Sequence, residues 1–227
     1  MVVLHIVAGS VALLAAVVAL AVTKGASLHR RSGTAYVMAM LVMGLSGAGI
    51  AATRGVTISV IAGLLAAYLV TTGWLTVRLP VARMRAVLVI GLLVALAIAV
   101  AGLNSGLRAL GTPAEGFAPE TSTAPYLVFG SLALIGAALD ARLLRVGHIA
   151  GRQRLARHLW RLLAALVMAN AAFFLGQADE FPVAMRQPLL LAMPVLVSLL
   201  LIPYWLVRVL RGRGRTVAFG RAPAGGA

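Results

Sequence analysis

Seven runs of roughly twenty apolar residues, set apart by short connections, constrain this chain more than any other feature. They fall at Val2–Val22, Ala35–Ala52, Val56–Val77, Ala86–Leu103, Tyr126–Leu144, His158–Gly176 and Pro188–Leu210. A helix rises about 1.5 Å per residue, so a run of this length crosses a hydrocarbon layer about 30 Å thick. Lipid offers the backbone no hydrogen-bond partners, so each run must be a helix or a strand of a closed barrel. Barrel strands alternate apolar and polar positions, and these runs do not alternate. The expected fold is all-α, a single integral membrane bundle of seven transmembrane helices over residues 1–215. A disordered tail rich in Gly, Pro and Ala is expected over 216–227. The opening MVVLHIVAGS lacks the basic n-region of a signal peptide and runs on too long for one, so it is taken as a retained first span.

The charge balance, 20 Lys and Arg against 5 Asp and Glu, would suit a nucleic-acid binder. Its distribution does not. The basic residues sit in clusters between the apolar runs, where membrane proteins place them, so a lipid bilayer is expected as partner and nucleic acid is not. Lys24, Arg30, Arg31, Arg78, Arg83, Arg85, Arg142, Arg145, Arg152, Arg154, Arg157, Arg161, Arg208, Arg211, Arg213, Arg215 and Arg221 all fall on one side of an alternating seven-span chain. Only Arg54, Arg108 and Arg186 fall on the other, together with Glu115, Glu120, Asp179 and Glu180. By the positive-inside rule the N-terminus is expected outside and the C-terminus in the cytoplasm. One missed span would scramble this alternation, so the charges also support the helix number.

With no cysteine, the chain has no disulfide, no thiolate-bound metal and no cysteine nucleophile. G-x-S-x-G, P-loop and H-E-x-x-H motifs are also missing. Chemistry is therefore sought in a handful of polar residues. His29, Asp140, His148 and His158 are all expected at the cytoplasmic boundary, with Asp140 closing the fifth helix and His158 opening the sixth. His29, Asp140 and His158 form a candidate metal set, and His5, His29 and His158 are candidate haem b ligands with arginines placed for propionates. Against these stand plainer roles: an ion pair of Asp140 with Arg142, Arg157 or Arg161, solvated loop positions for His29 and His148, and helix packing for His5 above Gly9, Ala12, Ala16 and Ala19. Asn170, mid-membrane in the sixth span, either bonds across to another helix or lines a pathway. Pro194 and Pro203 lie inside the seventh span, and the 104–125 connection is the longest.

The pattern His5-x3-Gly9, Lys24-Gly25, His29-Arg30-x2-Gly33-x2-Tyr36 and Met38, followed by Arg157-His158-Leu159-Trp160-Arg161 and Phe173-Phe174-Leu175-Gly176-Gln177, resembles a group of bacterial polytopic membrane proteins classed as a domain of unknown function. The resemblance covers about half the chain. It implies an inner-membrane location and the multi-span topology, and it draws attention to His5, His29, Asp140 and His158 without giving them roles. Three functional classes remain open: a histidine-based haem or metal redox protein, a small-solute or ion transporter, and a non-catalytic assembly or structural subunit. A homo-oligomer or a membrane-complex partner is compatible with each.

Overall fold

A computed structural model describes residues 1–110 and 123–212. It contains α1 (Val2–Ala21), α2 (Ser27–Thr53), α3 (Thr57–Arg78), α4 (Val81–Ala109), α5 (Thr123–Val146), α6 (Gly151–Asn170) and α7 (Pro188–Arg211). A π-helical segment, Ala171–Leu175, continues α6, and two 3-10 turns precede α7. There is no strand among the described residues. All seven helices are long and apolar enough to cross a membrane, so the chain is a multi-pass membrane protein. The tail expected over 216–227 and most of the long connection lie outside the described residues.

The connections are as short as their chemistry demands. Leu79 and Pro80 alone separate α3 from α4, and Pro188 opens α7, where a missing N–H removes nothing from the helix ladder. Gly147 follows the last residue of α5 with φ +73°, and its N–H returns to the Leu143 carbonyl at 2.9 Å. A side chain there would resist the left-handed backbone that ends the helix.

Helix α3 is the hub of the bundle. It packs against α2, α4, α5 and α6, while α1 lies on α2, and α7 on α6. In lipid the apolar effect no longer drives helices together, so close approach through small residues takes over. At the α2–α3 crossing Gly44 faces Gly63, and a Cβ on Gly44 would stand 2.8 Å from the Gly63 carbonyl oxygen. Gly102 and Gly130 make the same contact between α4 and α5, where a Cβ on Gly102 would lie 2.9 Å from Gly130 Cα. Ala8, Ala12 and Ala16 form the buried face of α1.

The basic ends of the helices meet at one end of the bundle. Lys24 Nζ lies 4.9 Å from the Trp205 ring centroid, Arg152 donates to the Leu210 carbonyl at 3.1 Å, and Arg78 donates to Thr34 at 2.8 Å. Lys24 also donates to the Ala19 and Leu20 carbonyls of the last turn of α1 and to that of Val22 just beyond it. Partial burial, then the neighbouring Arg208 charge, holds its ammonium pKa below the usual lysine value.

Several helices outrun the apolar windows read from sequence. α2 begins at Ser27 instead of Ala35, α4 at Val81 instead of Ala86, and α6 at Gly151 instead of His158. Arginine is a good helix former, so the backbone stays helical where the hydropathy already falls. This moves two expected positions: Asp140 lies six residues inside α5, and His158 lies two turns into α6.

Candidate functional site

Asp140 is fully buried between α3, α5 and α6. Its Oδ1 accepts from Arg157 Nη1 at 2.6 Å and from Arg161 Nη2 at 2.7 Å. Its Oδ2 accepts from the Tyr68 hydroxyl at 2.5 Å. Arg157 is 6% exposed and Arg161 0%, so both guanidiniums are removed from solvent with the carboxylate they share. At about 1.5 Å per residue, Asp140, Arg157 and Arg161 lie about 9–15 Å in from the basic ends of their helices.

Each helix contributes by i, i+4 spacing, which places residues on one face. On α3 this gives Tyr68, Thr72 and Thr76. Thr72 Oγ1 accepts from Arg161 Nη1, and Thr76 Oγ1 accepts from Arg157 Nε at 2.9 Å. The two threonines pass their own protons back to the helix, Thr72 to the Tyr68 carbonyl at 2.7 Å and Thr76 to the Thr72 carbonyl at 2.6 Å. Both hydroxyls are thereby fixed as acceptors toward the arginines. On α5, Gly136 precedes Asp140 by one turn, and its carbonyl accepts from Arg161 Nη2 at 3.1 Å. A Cβ at Gly136 would stand 2.9 Å from Tyr68 Oη, so only glycine leaves room for the tyrosine to reach the carboxylate. On α6, Arg157 and Arg161 are themselves one turn apart. The Arg161 guanidinium carbon also lies 5.0 Å from the Tyr68 ring centroid.

The network does not balance. Two guanidiniums meet one carboxylate, which leaves one positive charge in excess inside the bundle. Two buried nitrogens, Arg157 Nη2 and Arg161 Nε, find no hydrogen-bond partner among the described residues. Buried polar groups are otherwise nearly always paired, and an uncompensated buried charge is strongly unfavourable.

The histidines go elsewhere. His5 Nδ1 bonds the Met43 carbonyl at 2.9 Å, and the ring lies against Gly47, where a Cβ would stand 2.8 Å from His5 Cε1. His29 Nδ1 bonds the Ala19 carbonyl at 3.0 Å, and His158 Nδ1 bonds the Gly73 carbonyl at 3.0 Å. His148 is exposed in the α5–α6 connection, 3.2 Å from the Val146 carbonyl. Since His29 touches Ala19, it lies about 21 Å along α1 from His5, at 1.5 Å per residue. His5 therefore shares no single iron with His29.

The metal set His29, Asp140 and His158 is not assembled. No group of three or more His, Cys, Asp or Glu residues that could hold a metal ion occurs among the described residues. The physical reason is local: both oxygens of the buried Asp140 carboxylate are already engaged, by two arginines and a tyrosine. Asn170 Nδ2 donates across to Ser198 Oγ at 3.1 Å and to the Pro194 carbonyl at 3.3 Å, which makes it a fastener between α6 and α7.

Of these residues, Asp140 with Arg157 and Arg161 was among the pairings expected from sequence. Tyr68, Thr72 and Thr76 were not placed with them. The available signal is the matching i, i+4 pattern of polar residues on α3 and α6, set against the single acid Asp140 on α5.

The fold and site together define a seven-helix membrane protein with a cationic, three-helix polar core. Comparison with protein-family models, with curated proteins and with solved structures finds no match. The functional reading therefore rests on the geometry of the site.

Proposed function

We propose that this is a multi-pass protein of the bacterial inner membrane that binds and moves a small anion, with Arg157 and Arg161 as the anion's partners. One observation carries this: the buried arginine pair exceeds its carboxylate by one charge and keeps two nitrogens without a described partner. Ionisable groups inside a membrane bundle mark ion pathways and relays. Thr72, Thr76 and Tyr68 hold the guanidiniums and the carboxylate in place, so the surplus charge is presented on a rigid frame. The charge distribution supports an outside N-terminus and a cytoplasmic C-terminus, so the site would lie nearer the cytoplasmic face.

Arg157→Gln tests this reading against a purely structural one. It removes the excess charge yet leaves the neutral Arg161–Asp140 pair. Wild-type protein in liposomes is expected to pass a small monovalent anion such as chloride or nitrate. Arg157→Gln is expected to lose that flux by at least tenfold while keeping its fold. Wild-type flux no greater than that of protein-free liposomes, or equal flux in both proteins, would refute the proposal.

A second reading has its own observation. His29 and His158 each bond a backbone carbonyl through Nδ1, which leaves Nε2 available as a ligand, the arrangement that orients metal-bound imidazoles. A haem between them predicts a Soret band in the purified protein that disappears in His158→Ala. A colourless, well-folded preparation excludes it.

A further inference from the structure

At the basic end of the bundle, the first two turns of α2 and the last residue of α3 line an open surface groove of about 490 Å³. Its lining is Ser27, Arg30, Arg31, Thr34 and Arg78. Arg78 is held in place from two sides. Its Nη2 donates to Thr34 Oγ1 at 2.8 Å, and its guanidinium carbon lies 5.0 Å from the Trp74 ring centroid. Arg30 is steadied by donation to the Gly25 carbonyl at 2.5 Å.

Three arginines thus line a groove whose lining contains no acid. The rest of the described chain supplies none nearby. Asp140 is buried and committed to Arg157 and Arg161, while Asp179 and Glu180 lie in the α6–α7 connection, at the other end of the bundle. The first turn of α2 adds backbone N–H groups that the helix cannot itself satisfy. Charge complementarity calls for a phosphate, whose oxygens match the guanidinium fork.

The level of the groove selects the source of that phosphate. α2 is 27 residues long. At 1.5 Å per residue it measures about 40 Å, against about 30 Å of hydrocarbon, so its first turns stand among the headgroups. Trp74, one turn back on α3, suits the same interfacial layer. We infer that this groove binds the phosphate of an anionic phospholipid of the surrounding bilayer, held by Arg30, Arg31 and Arg78.

The test uses native mass spectrometry of the full-length detergent-purified protein offered phosphatidylglycerol and phosphatidylcholine together. The wild type is expected to retain phosphatidylglycerol preferentially. Arg30→Gln with Arg31→Gln removes two exposed charges, and the preference should fall roughly fivefold for each. A wild type that retains both lipids equally, or a double variant whose preference is unchanged, overturns the assignment. So does displacement of the retained lipid by inorganic phosphate alone, which would reassign the groove to a soluble ion. The wild type also gives a measurement independent of any variant. Raising salt from about 0.1 M to about 1 M shortens the Debye length from about 10 Å to about 3 Å, and should abolish the preference. A preference indifferent to salt overturns the proposal.

Discussion

Removing the Asp140 carboxylate does not remove a single bond; it strands both arginines. Asp140→Asn leaves two buried guanidiniums facing a neutral amide, and is expected to destabilise the bundle by about 3–5 kcal/mol, read as a shifted denaturation midpoint. Tyr68→Phe deletes a hydrogen bond to a charged acceptor and should lower stability by about 1.5–3 kcal/mol. Gly136→Ala places a methyl 2.9 Å from Tyr68 Oη and 3.0 Å from its Cε1, so it should break the same bond from the other side. The Gly136→Ala/Tyr68→Phe double variant is then expected to lose clearly less than the sum of the two singles, and full additivity would show that the glycine acts elsewhere. The Asp140–arginine pairing was legible at this scale because an acid in an apolar segment beside arginines has few other partners. The three hydroxyls were not, because tyrosine and threonine near a helix end also suit the membrane interface, and only their register across three helices separates the two roles.

Among the helices, the crossing points decide more than the apolar surfaces. A methyl on Gly44 meets the Gly63 backbone, which cannot move aside as a flexible side chain would. Gly44→Ala is therefore expected to splay α2 from α3 and lower the melting temperature more than Gly33→Ala, whose added Cβ meets nothing within 4 Å. Equal melting temperatures for the two would show that close approach at the crossing is unimportant. Asn170→Leu should lower stability only by about 0.6 kcal/mol, the average for hydrogen bonds between membrane helices. If the proposed anion flux is present in the wild type, a large loss of it in that variant would instead place Asn170 on the pathway. Hydropathy located every helix but misplaced the basic ends of α2, α4 and α6. It records where lipid contact stops, whereas arginine allows the helix itself to continue. For α6 the difference matters, because its extension carries Arg157 into the core.

For the molecule as a whole, the number of spans was legible because two independent patterns, apolar length and alternating charge, had to agree. Which membrane face the basic end meets is a separate prediction. A reporter that is active only in the cytoplasm should function when fused after Arg211, and a cysteine introduced at Gly55 should be labelled by an impermeant reagent from outside. The opposite result would invert the proposed orientation without altering the bundle. The depth of the arginine pair also has an electrical consequence. A monovalent anion reaching Arg157 and Arg161 from the basic side traverses roughly a quarter to a third of the hydrocarbon layer. A full crossing changes the energy of a unit charge by about 2.3 kcal/mol per 100 mV, so occupancy of the site changes by roughly threefold over that voltage. On the anion-binding proposal, Arg157 and Arg161 would themselves couple occupancy of the site to the membrane potential.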